Sequence, residues 1–258
     1  MLVSVISTGI VFGLAAWWIT SSQYWPAFRN SFFSWEDIKA SSPQVLRGFW
    51  INMRVWVMSG AIIVVVSLVV AVLRSLTGPV FAPLRVGAII YVDLLRGLPA
   101  LLMVLLLGLG VPALQLPGLP RSNLFWGSLA LVASYSAYTA EVYRSGMEAV
   151  HDSQRAAAKA LGLSQWETLR FAILPQAVRN VTPALLNLAV ALQKDVALLS
   201  IIGVREAVRE ARIYTAQTFN FSSLTGAAIL FLIASVPMAR FADWYTRRDQ
   251  KRRLQRTL

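Results

Sequence analysis

Six blocks of apolar residues, separated by short polar intervals, organise the chain: roughly 2–20, 50–73, 87–112, 123–144, 178–203 and 223–243. Each is close to the roughly 20 helical residues that cross a hydrocarbon layer about 30 Å thick. None alternates strictly between apolar and polar positions, so the pattern predicts helices and not the strands of a barrel. The expected fold class is an all-α polytopic membrane protein with about six transmembrane helices. No low-complexity linker or evident repeat interrupts the 258 residues, which read as a single transmembrane domain, 1–258. The first block has no Lys or Arg ahead of it and no clear small-residue cleavage site, which favours a retained helix over a signal peptide.

The polar interval 145–177 has a pattern of its own. SQRAAAKAL at 153–161 consists of good helix formers, and Gly162 stands where a left-handed cap is needed. Ser164 and Glu167 then have the spacing of a capping box, and Trp166, Leu169 and Ile173 recur with helical period. Leu174 and Pro175 are expected to end this second helix before the next span begins. The interval therefore predicts a helix-turn-helix. Either it is a plain connector or, since a connector can be much shorter, it presents a preorganised surface to a partner.

Charge orients the spans. Lys and Arg exceed Asp and Glu by 24 to 12, and they collect in loops and in the tail Arg247, Arg248, Lys251, Arg252, Arg253 and Arg256. Basic clusters mark the cytoplasmic side and face anionic lipid, so the excess speaks for a bilayer and not for nucleic acid. Both termini are then expected in the cytoplasm with the interval 145–177 and the loop holding Arg74 and Arg85. The segments 21–49, 113–122 and 204–222 face outward. Cysteine is absent and His151 is the single histidine, which leaves neither a disulfide frame nor a metal site. No G-x-x-x-x-G-K-[ST] phosphate loop occurs, so the chain is not expected to be an ATPase or to hold a cofactor of its own. GLGVPA at 108–113 mimics half a dinucleotide fingerprint but merely ends an apolar span.

Charges inside spans are costly against lipid and usually face protein or a water-filled cavity. Asp93 with Arg96, and Glu141 with Arg144, have pair spacing on one helix face near cytoplasmic span ends, where snorkelling also accounts for them. Lys194 and Asp195 lie more than halfway toward the outside and point about 100° apart, so they do not neutralise each other. One of them is expected to face a water-filled path through the bundle, with Arg96 and Glu141 as further candidates. VREAVREARIY at 204–214 predicts an outward helix with Glu206 and Arg209 at pair spacing.

QRAAAKALG at 154–162, followed by Leu163 and by LPQA at 174–177, resembles the EAA loop of permease subunits of ABC importers, especially the polar amino-acid uptake group. YVDLLRGLP at 91–99 is similar to that family's YVELFRGTP, and SAYTAEVYRSG at 136–146 to its GAYxAEIxRGG. PQAVRNVTPALLN at 175–187 and LQKD at 192–195 match again, so the likeness runs from about 46 to 245 in the expected order. The resemblance implies a pore-forming subunit of the bacterial plasma (inner) membrane that pairs with itself or a sister permease. Its loop docks on cytoplasmic ATP-binding subunits, which hold ATP and Mg, and an extracytoplasmic binding protein delivers substrate, an amino acid or related small polar solute. Ala157, Ala158, Ala160, Leu161 and Gly162 match the docking motif position by position, with Arg155, Ala156, Lys159 and Leu163 completing the segment. The family's opening acid is replaced by Ala156, its hydroxyls after the lysine by Val196 and Ala197, and its threonine before Pro99 by Leu98. The competing reading is a secondary transporter driven by an ion gradient, a class that commonly shows repeats and interrupted helices.

Overall fold

The computed structural model describes residues 2–254. Arg256 of the basic tail lies outside the described residues, as do the side chains of Arg155, Lys251, Arg252 and Arg253. The helices are α1 (Leu2–Thr20), α2 (Trp25–Phe32), α3 (Trp35–Ser75), α4 (Ala82–Gly97) and α5 (Ala100–Ala113), then α6 (Asn123–Glu148), α7 (Asp152–Ala160), α8 (Gln165–Ser200), α9 (Ala207–Thr218) and α10 (Ser222–Leu254). Among the described residues there is no strand. The six apolar blocks fall on α1, α3, α4 with α5, α6, α8 and α10. Of these, α3, α8 and α10 are each long and apolar enough to cross a membrane, and α4 with α5 qualify as a bent pair.

Three boundaries differ from expectation, each for a physical reason. The block 87–112 is not one straight span, because α4 and α5 meet at 102°. Leu98 and Pro99 are extended there, with ψ near 135°; proline lacks the N–H for helix continuation and disfavours helical backbone at the preceding residue. Pro175, in contrast, ends nothing. A wide π-helical turn over Thr168–Ile173 precedes it, and α8 runs on to Ser200. The widened turn loosens the helix at Phe171, whose carbonyl a proline ring four residues later would otherwise strike. Lastly, much of the outward segment 21–49 is helical. Ser34 caps α3 by accepting the Asp37 N–H, and Glu36 and Asp37 favour the positive end of the dipole, so α3 extends over 41 residues.

The core follows α6, which packs against α3, α4, α5 and α8. Val55, Ile63, Met103, Leu131, Leu192 and Leu199 form its outer part, while Ala71, Val92, Ala140, Tyr143, Ile173 and Ala177 form a second cluster nearer the α7 end. Away from these clusters large apolar side chains such as Val57, Met58, Val65 and Ile233 are exposed, as a lipid-facing surface requires.

Glycine allows the closest approaches. At Gly48 a Cβ would lie 2.5 Å from the carbonyl carbon of Glu206 and 2.6 Å from the amide nitrogen of Ala207, backbone atoms that have no rotamer to yield. Gly48→Ala is therefore expected to destabilise the α3–α9 contact by about 1–3 kcal/mol. The check is the thermal midpoint of the purified protein, with Gly87→Ala as the control because a Cβ there meets nothing within 4 Å.

Candidate coupling segment and translocation path

The interval 145–177 folds as the sequence predicts at its two caps. In the α7 terminus the Gly162 N–H donates to the Lys159 carbonyl at 2.9 Å and the Leu163 N–H to the Ala158 carbonyl at 3.1 Å, with Gly162 at φ +80°. This is a Schellman closure, and it asks for glycine because of the backbone alone, since a Cβ would meet nothing within 4 Å. One residue on, the capping box closes. Ser164 Oγ accepts the Glu167 N–H at 3.3 Å, and Glu167 Oε2 accepts the Ser164 N–H at 2.8 Å. The Ser164 hydroxyl donates to the same carboxylate at 2.7 Å, and these bonds hold the Glu167 carboxyl below its usual range.

Burial divides the segment into two faces. Ala158 turns inward and Leu163 is half-buried, whereas Ala156, Ala157, Lys159, Ala160, Leu161 and Gly162 are exposed, Leu161 by 80%. The Arg155 backbone lies on α7. The expected apolar face of the second helix is only partly realised. Ile173 is buried and Leu169 half-buried, but Trp166 is 55% exposed and Thr168 takes an inward position. The π turn breaks the 3.6-residue period on which that expectation rested. A cavity of about 610 Å³ separates this segment from the α3–α4 connector, bridged where the Thr77 hydroxyl donates to Gln165 Oε1 at 2.9 Å.

Glu141 stands at the meeting of three helices. Arg74 at the end of α3 reaches it at 2.6 Å, Arg96 at the end of α4 at 3.6 Å, and Arg144 one turn further along α6 through Nε at 3.0 Å. Arg144 also pairs with Glu148. The expected Glu141–Arg144 pair thus forms, but the Asp93–Arg96 pair does not. Arg96 instead crosses to α6, stacks over the Tyr138 ring at 5.9 Å, and accepts the Tyr138 hydroxyl on its carbonyl. Asp93 is left exposed. Arg96 and Glu141 therefore tie helix ends together.

Lys194 and Asp195 part company as their angular separation requires. Asp195 accepts the Tyr135 hydroxyl at 2.8 Å and turns toward α6, while Lys194 is exposed. Beyond them the helix tightens to a 3₁₀ turn over Val196–Ser200, and Gly203 at φ +85° redirects the chain.

The segment 204–214 becomes helical at Ala207, and Glu206 caps it without pairing with the Arg209 side chain. Glu206 is fully buried; Oε1 accepts the Arg209 N–H at 2.8 Å, and Oε2 accepts Asn52 Nδ2–H at 2.9 Å. Asn52 Oδ1 accepts the Ala207 N–H in return. Burial pushes the Glu206 carboxyl up, opposed by these hydrogen bonds. Arg205 pairs with Glu210 through two bonds, at 2.6 and 3.1 Å. The residue the sequence reading missed is Asn52, whose polar character inside an apolar block was its signal.

Among the described residues the chain thus combines a bent pair of apolar helices with an exposed joint capped on both sides. The chain belongs to the family described as binding-protein-dependent transport system inner membrane component, whose family model matches residues 75–251. It is similar to the arginine transport system permease protein ArtQ of Bacillus subtilis, 31% identical over 72% of this chain and 84% of that one. It also resembles the probable amino-acid ABC transporter permease protein y4tG of Sinorhizobium fredii, 34% identical over 78% of this chain and 86% of that one. Among solved structures, an amino acid ABC transporter crystallised with histidines superposes with a TM-score of 0.71 at 27% identity, covering 80% of this chain and 94% of that one. The MetNI methionine ABC transporter in an inward-facing form shares the fold, with a TM-score of 0.67 at 18% identity. The chain is thus a multi-pass membrane permease of the ABC type, a transport subunit.

Proposed function

We propose that this chain is the transmembrane permease of an ATP-driven importer for amino acids or related small polar solutes. The observation that carries this reading is the continuity of α8: the helix that begins at the exposed capping box, beside Gly162, runs without a break from Gln165 to Ser200. A displacement at the joint is carried along that helix past Lys194. The surface of Ala156, Ala157, Lys159, Ala160, Leu161 and Gly162, with Arg155, docks on a cytoplasmic ATPase that holds ATP and Mg. With Ala156 in place of the family's acid, apolar contact and helix-end carbonyls supply the grip, helped by Lys159. Little affinity is lost by this, since an exposed ion pair contributes only about 0–1 kcal/mol. No chemistry occurs in this chain. A second permease subunit, self or sister, completes the path, an extracytoplasmic binding protein delivers the solute, and both termini lie in the cytoplasm of a bacterial inner membrane.

The bend between α4 and α5 is the one observation that favours an ion-gradient mechanism, since interrupted helices are common in such transporters. Co-purification and energetics separate the two. The importer reading expects an ATP-binding subunit to co-purify and uptake to stop on ATP depletion. Uptake that persists without ATP but collapses with an ionophore would overturn it.

A further inference from the structure

The cavity between the joint and the α3–α4 connector encloses about 610 Å³, within the range of sites that hold small organic ligands. Much of its wall is apolar, with Leu76, Phe81, Leu163, Leu169 and Ile173 among the lining residues. Two polar side chains in that wall lack partners. Thr168 is only 6% exposed, yet among the described residues its hydroxyl has no hydrogen-bond partner. A buried polar group left unpaired is destabilising, so it asks for a ligand. Lys159, at the end of α7, forms no ion pair among the described residues. Glu167, the acid beside the lining residues Trp166 and Thr168, is taken up by the capping box with Ser164. On the connector side Arg85 donates to the Leu76 carbonyl at 3.2 Å, which brings a second cation to the wall.

The rim has the character of a membrane surface. Val80 is 82% exposed, Phe81 and Leu84 are exposed with it, and Trp166 is exposed on the facing side. Aromatic and apolar side chains gathered beside cations mark the boundary between bilayer and water, and basic pockets between membrane helices receive anionic lipid headgroups. A soluble anion would satisfy the cations but leave the apolar wall unfilled.

We propose that this cavity binds one anionic phospholipid, its phosphate received by Lys159 and the Thr168 hydroxyl and its first acyl carbons lying against Phe81, Leu163 and Leu169. The bound lipid ties the connector to the joint beside the Thr77–Gln165 hydrogen bond. The site goes beyond the importer reading and does not depend on what powers transport.

The absence of cysteine makes the test direct, because each introduced thiol is the only one in this chain. In the assembled transporter, solubilised in neutral detergent without nucleotide, Leu163→Cys reports on the cavity and Leu161→Cys, on the exposed face, is the control. Dioctanoylphosphatidylglycerol is expected to slow maleimide labelling of Leu163→Cys and to leave Leu161→Cys unaffected, whereas dioctanoylphosphatidylcholine should protect neither. In the Leu163→Cys background, Thr168→Val should raise the half-protecting lipid concentration roughly 2- to 10-fold, and Lys159→Gln roughly 5-fold. Arg248→Gln, in the basic tail, should leave it unchanged. Without lipid, the thermal midpoint of Thr168→Val should equal or exceed that of its parent, because an unpaired hydroxyl is removed. Equal protection by the two lipids overturns recognition of the headgroup charge. Protection by glycerol 3-phosphate, which has the charge and no chains, overturns the lipid and leaves a site for a soluble anion. A half-protecting concentration unchanged by Thr168→Val or Lys159→Gln overturns the role given to that side chain.

Discussion

Gly162→Asp is expected to abolish solute uptake while leaving membrane insertion intact. Gly162 sits at φ +80° in the closure that joins α7 to α8. An L-residue in that conformation costs about 1–2 kcal/mol, too little to unfold a helical domain but enough to reopen the Schellman hydrogen bonds at Lys159 and Ala158. No neighbouring atom would be struck, so the damage is confined to the shape of the joint and to the new charge on its exposed face. ATP hydrolysis by the co-purified partner is expected to continue without coupling to transport. Gly162→Asn should be milder, because asparagine tolerates the left-handed region as well as aspartate does but adds no charge to the exposed face. Transport and ATPase assays in proteoliposomes, with the amount of inserted protein measured in parallel, decide the matter. Wild-type uptake by Gly162→Asp would refute the role of the joint.

Glu141→Ala is expected to have the largest effect on stability. The Arg74 side chain is 13% exposed and Arg144 is 33% exposed, and both, with Arg96, direct their charge at the one carboxylate. Removing it leaves cations facing each other across α3, α4 and α6. Breaking a fully buried pair on one side typically costs about 3–5 kcal/mol, because the stranded charge remains desolvated; with Arg74 13% and Arg96 41% exposed, the loss expected here is at the lower end, about 3 kcal/mol. A lower thermal midpoint and reduced yield of folded protein are the expected readouts. Glu141→Gln keeps the shape without the charge and should fall between the two. Asp93→Ala removes an exposed acid that pairs with no arginine in this cluster and should leave the midpoint unchanged.

What the sequence shows depends on how local the cause is. The left-handed Gly162 and the Ser164–Glu167 box each depend on neighbours within a few residues, and both appear where the pattern places them. Two features followed from proline chemistry but took opposite turns. Pro99 breaks a span that had been read as continuous, and Pro175 is absorbed by a helix that had been read as ended; the π turn over Thr168–Ile173 decides the second case, and no spacing rule in the sequence reports it. The Glu141 cluster was half legible. Arg144 lies one turn away on the same helix, but Arg74 and Arg96 reach Glu141 only because three helix ends converge.

The continuity of α8 also sets a mechanical scale. A rod of 36 residues is roughly 54 Å long, so pivoting it by about 5° about one end would swing the other by roughly 5 Å. A hinge at Pro175 would dissipate that motion next to the membrane surface. By keeping the helix whole through a widened turn, the chain has a lever arm: on the importer reading proposed above, a small adjustment at the exposed joint becomes a displacement comparable to the size of a small solute at the opposite end.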